Sequence, residues 1–211
     1  MPAAPRRYRQ VARAAATADI RHRSIDVFFA LLRDRMLDEI TLDEVAVGAG
    51  TTRQTVIRHF GGKDGLLRAL AERLTDEINA RRAVPAGAQI DRRMAALVAD
   101  YDLVGDIVVR MQAQEPGSGI LKEMLDSGRA SHRAWVADTF ADGLAGWPEA
   151  DRARLCDQLY AATDVQVWKL LRRDFGHSAA ATAALMTDMA RKLLACPPRP
   201  EANTPKTGGD T

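Results

Sequence analysis

Between Thr51 and Arg68 the chain carries Arg53, Arg58, Lys63 and Arg68 against the single acid Asp64. Over the whole chain 30 Lys and Arg nearly balance 28 Asp and Glu, leaving a net charge of +2, so this short stretch concentrates positive charge, and contact with phosphate is the chemistry that uses it. Just upstream, Thr41 and Glu44 stand at the spacing of a capping box, in which the threonine oxygen takes an orphan N–H and the glutamate reaches back to the threonine amide. Gly48 and Gly50 then bracket Ala49, and Thr51 and Thr52 offer hydroxyls to cap a restart. A capped helix, a turn of about four residues and a second helix opening on small polar and basic residues is the sequence form of a helix-turn-helix. Its second helix enters the major groove of DNA. The motif spans about 41–60.

A second group lies in the C-terminal half. Asp164 stands one turn from Tyr160 and from Trp168 on a segment that otherwise buries apolar surface, which makes it a candidate polar anchor in an aromatic cavity. Met94, Tyr101, Met111, Trp135, Tyr160, Asp164 and Trp168, large or polar residues on inward stripes, are the candidates to line a small-molecule pocket. One carboxylate without a matched acid, base or nucleophile makes no catalytic set, so an enzyme is not expected. The alternatives are an all-α enzyme using that cavity and a helix-turn-helix that meets protein; steep weakening of binding with salt marks DNA instead. His22, His132 and His177 lack the spacing of a metal-binding helix and read as partly exposed structural residues, so no metal and no cofactor is expected. Cys156 and Cys196 are too few and too distant for a disulfide scaffold or a zinc knuckle and read as buried reduced thiols.

The elements that must position these residues are helical. Aromatic residues make up 5% of the chain and hydrophobic ones 46%, enough for a core; strand-like alternation is rare and good helix formers dominate, which predicts an all-α fold. No run nears the roughly 18 apolar residues that cross a bilayer, and MPAAPRRYRQ lacks an apolar signal core, so a cytoplasmic protein without a membrane partner is expected. Arg6, Arg7, Arg9 and Arg13, with Pro2 and Pro5 and no acid, predict a flexible basic arm over 1–17. Ile25, Phe28, Phe29 and Leu32 give one face of a helix over about 19–35, followed by a helix from Thr41, one over about 53–60, and a fourth from Lys63 with Leu66, Leu67, Leu70 and Leu74 inward. These form an N-terminal domain over 18–80.

Pro85 and Gly87 break the chain before a C-terminal domain over 88–196. Met94, Leu97, Val98, Tyr101, Val104, Val108 and Met111 predict a helix over about 90–114. Helices follow over about 120–125 and 130–144. Residues 149–173 hold no Gly or Pro and show two apolar faces, Leu155, Leu159, Ala162 and Gln166 on one and Tyr160, Val167, Trp168 and Leu171 on the other, which predicts one helix with two partners. A last helix carries Leu185, Met186, Met189, Leu193 and Leu194. Pro197, Pro198 and Pro200 open a tail over 197–211 read as disordered.

The strings TLDEVA from Thr41, AGTT from Ala49, TVIRHF from Thr55 and GGKDGLL from Gly61 occur in order, and over about residues 18–70 the chain resembles the TetR family of transcriptional regulators. The resemblance implies a homodimer in which a three-helix DNA-binding unit is joined through the fourth helix to a helical body that binds an effector and dimerises through its last two helices. It implies double-stranded operator DNA and an unidentified small molecule as partners, and repression relieved by that molecule. Carried over, Thr52 is the recognition-helix cap and phosphate contact, and Arg53, Gln54 and Thr55 face base edges or backbone. Arg suits guanine O6 and N7, Gln suits adenine N6 and N7, and Thr meets a thymine methyl or a phosphate. His59 and Lys63 fall at phosphate-contacting positions. Met36 stands where the family usually has the glycine that ends the first helix, which predicts a displaced turn or a longer helix. Ile57 stands where the family usually has a tyrosine and has no hydroxyl for phosphate; Arg58 and the arm arginines are the candidates to compensate.

Overall fold

The computed structural model describes residues 6–85 and 87–195, and the expected tail and Cys196 lie outside them. Every regular element among the described residues is helical: α1 (Arg6–Leu32), α2 (Leu42–Gly48), α3 (Arg53–Phe60), α4 (Lys63–Arg82), α5 (Ile90–Gln114), α6 (Gly119–Thr139), α7 (Ala141–Leu144), α8 (Glu149–Thr163), α9 (Val165–Lys169) and α10 (Ala179–Ala195). None of these helices is long and apolar enough to cross a membrane.

α1 begins at Arg6, so the stretch expected to be a flexible arm supplies its first turns from there on. No Gly or Pro follows Pro5 as far as Leu32, and Ala12, Ala14, Ala15 and Ala16 have the highest helix propensity of any residue type. The other end stops at Leu32, three residues before the expected Arg35. The turn that follows contains no glycine, and side chains from three other helices hold it. Arg110 of α5 donates to the carbonyl oxygens of Leu32, at 3.3 Å, and of Arg33, satisfying acceptors that a helix C-terminus leaves free. Gln114 Oε1 accepts from Leu37 N at 2.9 Å, and Lys63 Nζ of α4 donates to Leu37 O at 2.8 Å. Glu44 of α2 takes Arg35 Nη1 at 2.7 Å.

α2 opens on the capping box: Glu44 N donates to Thr41 Oγ1 at 3.2 Å and Thr41 N to Glu44 Oε2 at 2.8 Å. The helix stops at Gly48, and Gly50 takes φ 64°, the left-handed conformation in which a side chain is strained. Thr52 then caps α3 by accepting from Thr55 N at 3.2 Å.

α6 is one helix where two were expected. Gly128 inside a helix costs only about 1 kcal/mol against Ala, and inward packing of Leu121, Leu125, His132 and Val136 spans it. The helix expected over 149–173 is instead divided: α8 ends at Thr163, Asp164 turns extended at ψ 152°, and its Oδ1 accepts from Gln166 N at 2.8 Å to start α9. A π-type turn over Leu170–Asp174 completes the segment.

Two apolar cores result. One gathers Phe28, Val45, Val56, Leu66 and Leu70 from α1–α4, together with Ile107 and Met111 of α5 and Leu121 and Leu125 of α6. The other gathers Met94, Leu97 and Val98 of α5 with Val136, Leu155, Leu159, Trp168 and Met186. The break at 83–89 therefore divides the chain but not its packing, because α5 and α6 enter the first core as well as the second.

Candidate nucleic-acid interface and internal cavity

Val56 turns α3 inward and is fully buried. The opposite face carries Thr52, Arg53, Gln54 and Arg58, all exposed, with Thr55, Ile57 and His59 half-buried beside them. The Thr52 hydroxyl lies 3.0 Å from that of Thr55, so both sit at the helix start. Arg53 has only a distant acid, Asp43 Oδ2, 3.9 Å from its Nε, and keeps its donors for an external acceptor. His59 lies edge-on to Phe60 at 6.2 Å between ring centroids, and Arg21 of α1 stands over the Phe60 ring.

Lys63, expected at a phosphate-contacting position, donates from its ammonium to the carbonyls of Leu37 and, at 3.3 Å, Asp38; it fastens α4 to the glycine-free turn after α1. Glu44 is the other hub of this unit. The Arg35 guanidinium, then the Thr41 amide and hydroxyl, hold its carboxyl down to about 2.

A cavity of about 510 Å³ opens between α4, α5, α6 and the α8–α9 junction. Five of the seven candidates line it: Tyr101, Met111, Trp135, Tyr160 and Asp164. Met94 and Trp168 do not, because both are fully buried in the second core. The Trp168 ring lies on Gly105, where even a Cβ would come within 2.4 Å of it, and its Nε1 donates to Asp102 Oδ1 at 3.1 Å. Asp164 lines the wall from the helix break, one carboxylate oxygen already engaged as a cap. Leu74, Thr75, Ile78 and Arg82 bring the second half of α4 to the same wall.

His132, read from the sequence as a partly exposed structural residue, is 6% exposed and lines this cavity. Its ring stacks on Trp135 at 5.4 Å and 10° and meets Tyr160 edge-on at 4.8 Å. Nε2 lies 3.0 Å from Thr163 Oγ1, and buried Nδ1 has no hydrogen-bond partner. Burial first, then the neighbouring Arg82, push the ring's pKa down to about 3. Tyr101 donates to Thr163 O at 3.1 Å, and burial raises its phenol. The signal for His132 was present as a polar residue on the stripe of Leu121, Leu125 and Val136. No cluster of three or more metal-ligating side chains occurs among the described residues.

Residues 25–70 match the family described as bacterial regulatory proteins, tetR family. Residues 25–70 thus carry the N-terminal domain of TetR-family regulators. Over 64 residues it is 39% identical to the HTH-type transcriptional regulator AlkX of Mycobacterium tuberculosis (strain ATCC 25618 / H37Rv), a match spanning 30% of each chain. The chain thus aligns with less than a third of that curated relative. A tetR-family transcriptional regulator from Streptomyces coelicolor superposes with a TM-score of 0.63 at 22% identity, covering 84% of this chain and 89% of that one. A regulator from Saccharomonospora viridis, solved in complex with choline, superposes with a TM-score of 0.64 at 17% identity over 82% and 96%. At these identities the solved structures show a shared fold, for the body as well as for the N-terminal unit. The matched residues 25–70 contain the helix-turn-helix as α2–α3.

Proposed function

We propose that this chain is a homodimeric, ligand-responsive transcriptional repressor, released from a palindromic operator when a small molecule fills the cavity. The reading rests chiefly on one observation: α4 starts at Lys63 against the turn between α1 and α2 and ends as a wall of the cavity at Arg82. Whatever the cavity holds bears directly on the helix that carries the reading unit. In this reading the N-terminal domain runs over 18–80 and the effector-binding and dimerisation domain over 88–196. A relative of this fold holding choline supports the body as a small-molecule site.

Arg53, Gln54 and Thr55 read base edges, while Thr52, Arg58 and His59 hold phosphate. Lys63 acts through the turn it fastens. The dimer forms through α8 and α10, whose outer faces present Ala153, Ala161 and Leu185 to solvent in the single chain. Two recognition helices enter successive major grooves about 34 Å apart, so an effector that favours another separation shifts the population away from the DNA-competent state, and DNA opposes the effector in return.

Selection of duplexes from a random pool tests the first half. An enriched palindrome that changes at one position with Gln54→Ala supports it, and the absence of enrichment at moderate salt removes it. The second half is tested with Thr75→Trp, an exposed position of the cavity wall. A small-molecule fraction that releases operator from the unmodified chain but not from this variant supports the effector site. Equal release from both removes it.

A further inference from the structure

We infer that the occupant of the cavity is an organic cation, an ammonium group on an apolar, ring-bearing body, with Asp164 as its counter-charge. The inference rests on the effector reading above.

The charges on the cavity wall are matched in every case but two. Arg82 belongs to a chain of ion pairs in which Arg73, Arg81 and Arg82 face Asp26, Glu77 and Asp100, three cations to three anions. Arg129 is held by both oxygens of Glu115 and shares Asp126 with Lys122, two to two. Arg68 meets Glu123 at 3.4 Å, and Arg133, over the Tyr160 ring, meets Asp157 at 2.7 Å. A matched pair presents little net charge to a third group, so these arginines do not set the sign of the cavity. An anionic occupant would have to displace one of these carboxylates from its guanidinium group. The acids left over are Glu72 and Asp164, which line the cavity and make no ion pair among the described residues. An occupant without charge leaves them unanswered.

Of the two, Asp164 is the one placed to hold a ligand. Glu72 is exposed on α4, where water answers its charge, whereas Asp164 is half-buried at the α8–α9 break, and a charge pair gains more as water is excluded. One Asp164 oxygen caps Gln166 N. The other has no hydrogen-bond partner among the described residues and is left to accept from an ammonium N–H. The 15 residues of α8 end directly before Asp164, and the negative end of a helix dipole favours a cation at the same place. Tyr101 and Tyr160 each already carry an arginine over the ring, so the charge is answered by the carboxylate rather than by ring faces. Val104, Val108 and Met124 leave much of the remaining wall apolar, and the ring-bearing body lies there beside Trp135.

The test uses the full chain with three probes that share a naphthalene ring and a two-carbon arm. At neutral pH 2-(2-naphthyl)ethylamine is a cation, 2-(2-naphthyl)ethanol is uncharged and 3-(2-naphthyl)propanoate is an anion. Titration calorimetry follows binding. The expected result is the amine bound about tenfold more tightly than the alcohol, with the propanoate weaker than either. The preference for the amine disappears in Asp164→Asn and in Asp164→Ser, both of which keep a cap for α9 and remove the charge. Equal affinity for amine and alcohol, tightest binding of the propanoate, or a preference for the amine that survives both substitutions overturns the cation inference while the effector reading stands. Binding of none of the three also overturns it, and the effector reading is then decided by operator release with Thr75→Trp.

Discussion

Arg82 Nη2 lies 2.7 Å from Asp100 Oδ2 and joins the last turn of α4 to α5 at a carboxylate with no exposed side-chain surface. Arg81 reaches the other oxygen, Nε to Oδ1 at 2.8 Å. Arg82 also covers Tyr101 and lines the cavity, so one guanidinium touches the cavity, the end of the helix that carries the reading unit, and the helix that clamps α1. Removing the carboxylate leaves Arg82 at a largely dry site without a counter-charge, while Arg81 keeps Glu77 Oε2 at 3.2 Å.

Asp100→Ala is therefore expected to destabilise the protein by about 3 kcal/mol, since breaking a buried pair strands its partners. In a chain of this size that is a fall in Tm of about 10 °C. Asp91→Ala removes an exposed pair with Arg191, 59% and 51% exposed on the two side chains, and should change Tm by no more than about 2 °C. Thermal unfolding of both variants checks the contrast; equal effects would show that the Asp100 cluster contributes no more than a surface pair.

Arg110→Ala opens the glycine-free turn without touching the groove-facing residues of α3. Operator affinity should fall several-fold, measured by anisotropy of labelled operator. A variant that keeps full operator affinity would show that the turn needs no support from α5.

Salt separates positioning from contact. Arg58→Ala should lower the slope of log affinity against log salt by about 1, as expected for one lost phosphate contact. Lys63→Met should leave that slope unchanged and lower the unfolding midpoint, because its ammonium serves backbone carbonyls. A slope that falls by about 1 for Lys63→Met would return Lys63 to the phosphate.

The pH dependence has two limbs. An imidazole in the unfolded chain titrates near 6.5, whereas the buried His132 ring resists protonation down to about 3. Over that interval the unfolded chain holds the extra proton, so the contribution is complete above about pH 6.5 and is lost as pH falls toward 3. Denaturant titrations from pH 7 to 4 should show this slope, and His132→Phe should flatten it. Glu44 follows the same sign lower down: its contribution is complete above its ordinary 4.5 and is lost as pH falls through about 2. Glu44→Gln should remove that lower limb.

How much of this the sequence carried depends on the kind of signal. The capping box at Thr41 and Glu44 and the hydroxyl cap at Thr52 act over three residues, so α2 and α3 could be read directly, and the unbroken stripe from Met94 to Met111 marked the bounds of α5. The break at Asp164 could not be read the same way, because an aspartate inside a helical pattern is ambiguous until its carboxylate is seen capping Gln166. Apolar periodicity says which side of a helix faces inward but not whether core or cavity lies there, which is why Met94 and Trp168 went to the core while Tyr101 and Trp135 reached the cavity. His132 escaped because a metal needs several ligands at fixed spacing, while a place in a cavity wall needs only one residue on an inward stripe. The turn after α1 rests on Arg110 and Gln114, more than 70 residues away, and local spacing holds no trace of them.

Ile107, Met111, Leu121 and Leu125 close the floor of the reading unit's core, and that has a consequence for rebuilding the molecule. The reading unit is not an interchangeable cartridge. Cut at the Pro85 break and spliced onto a foreign body, it would carry the right bases-facing helix on a core with part of its floor missing, so chimeras should keep recognition only when the junction falls beyond α6 or when the new body supplies matching side chains.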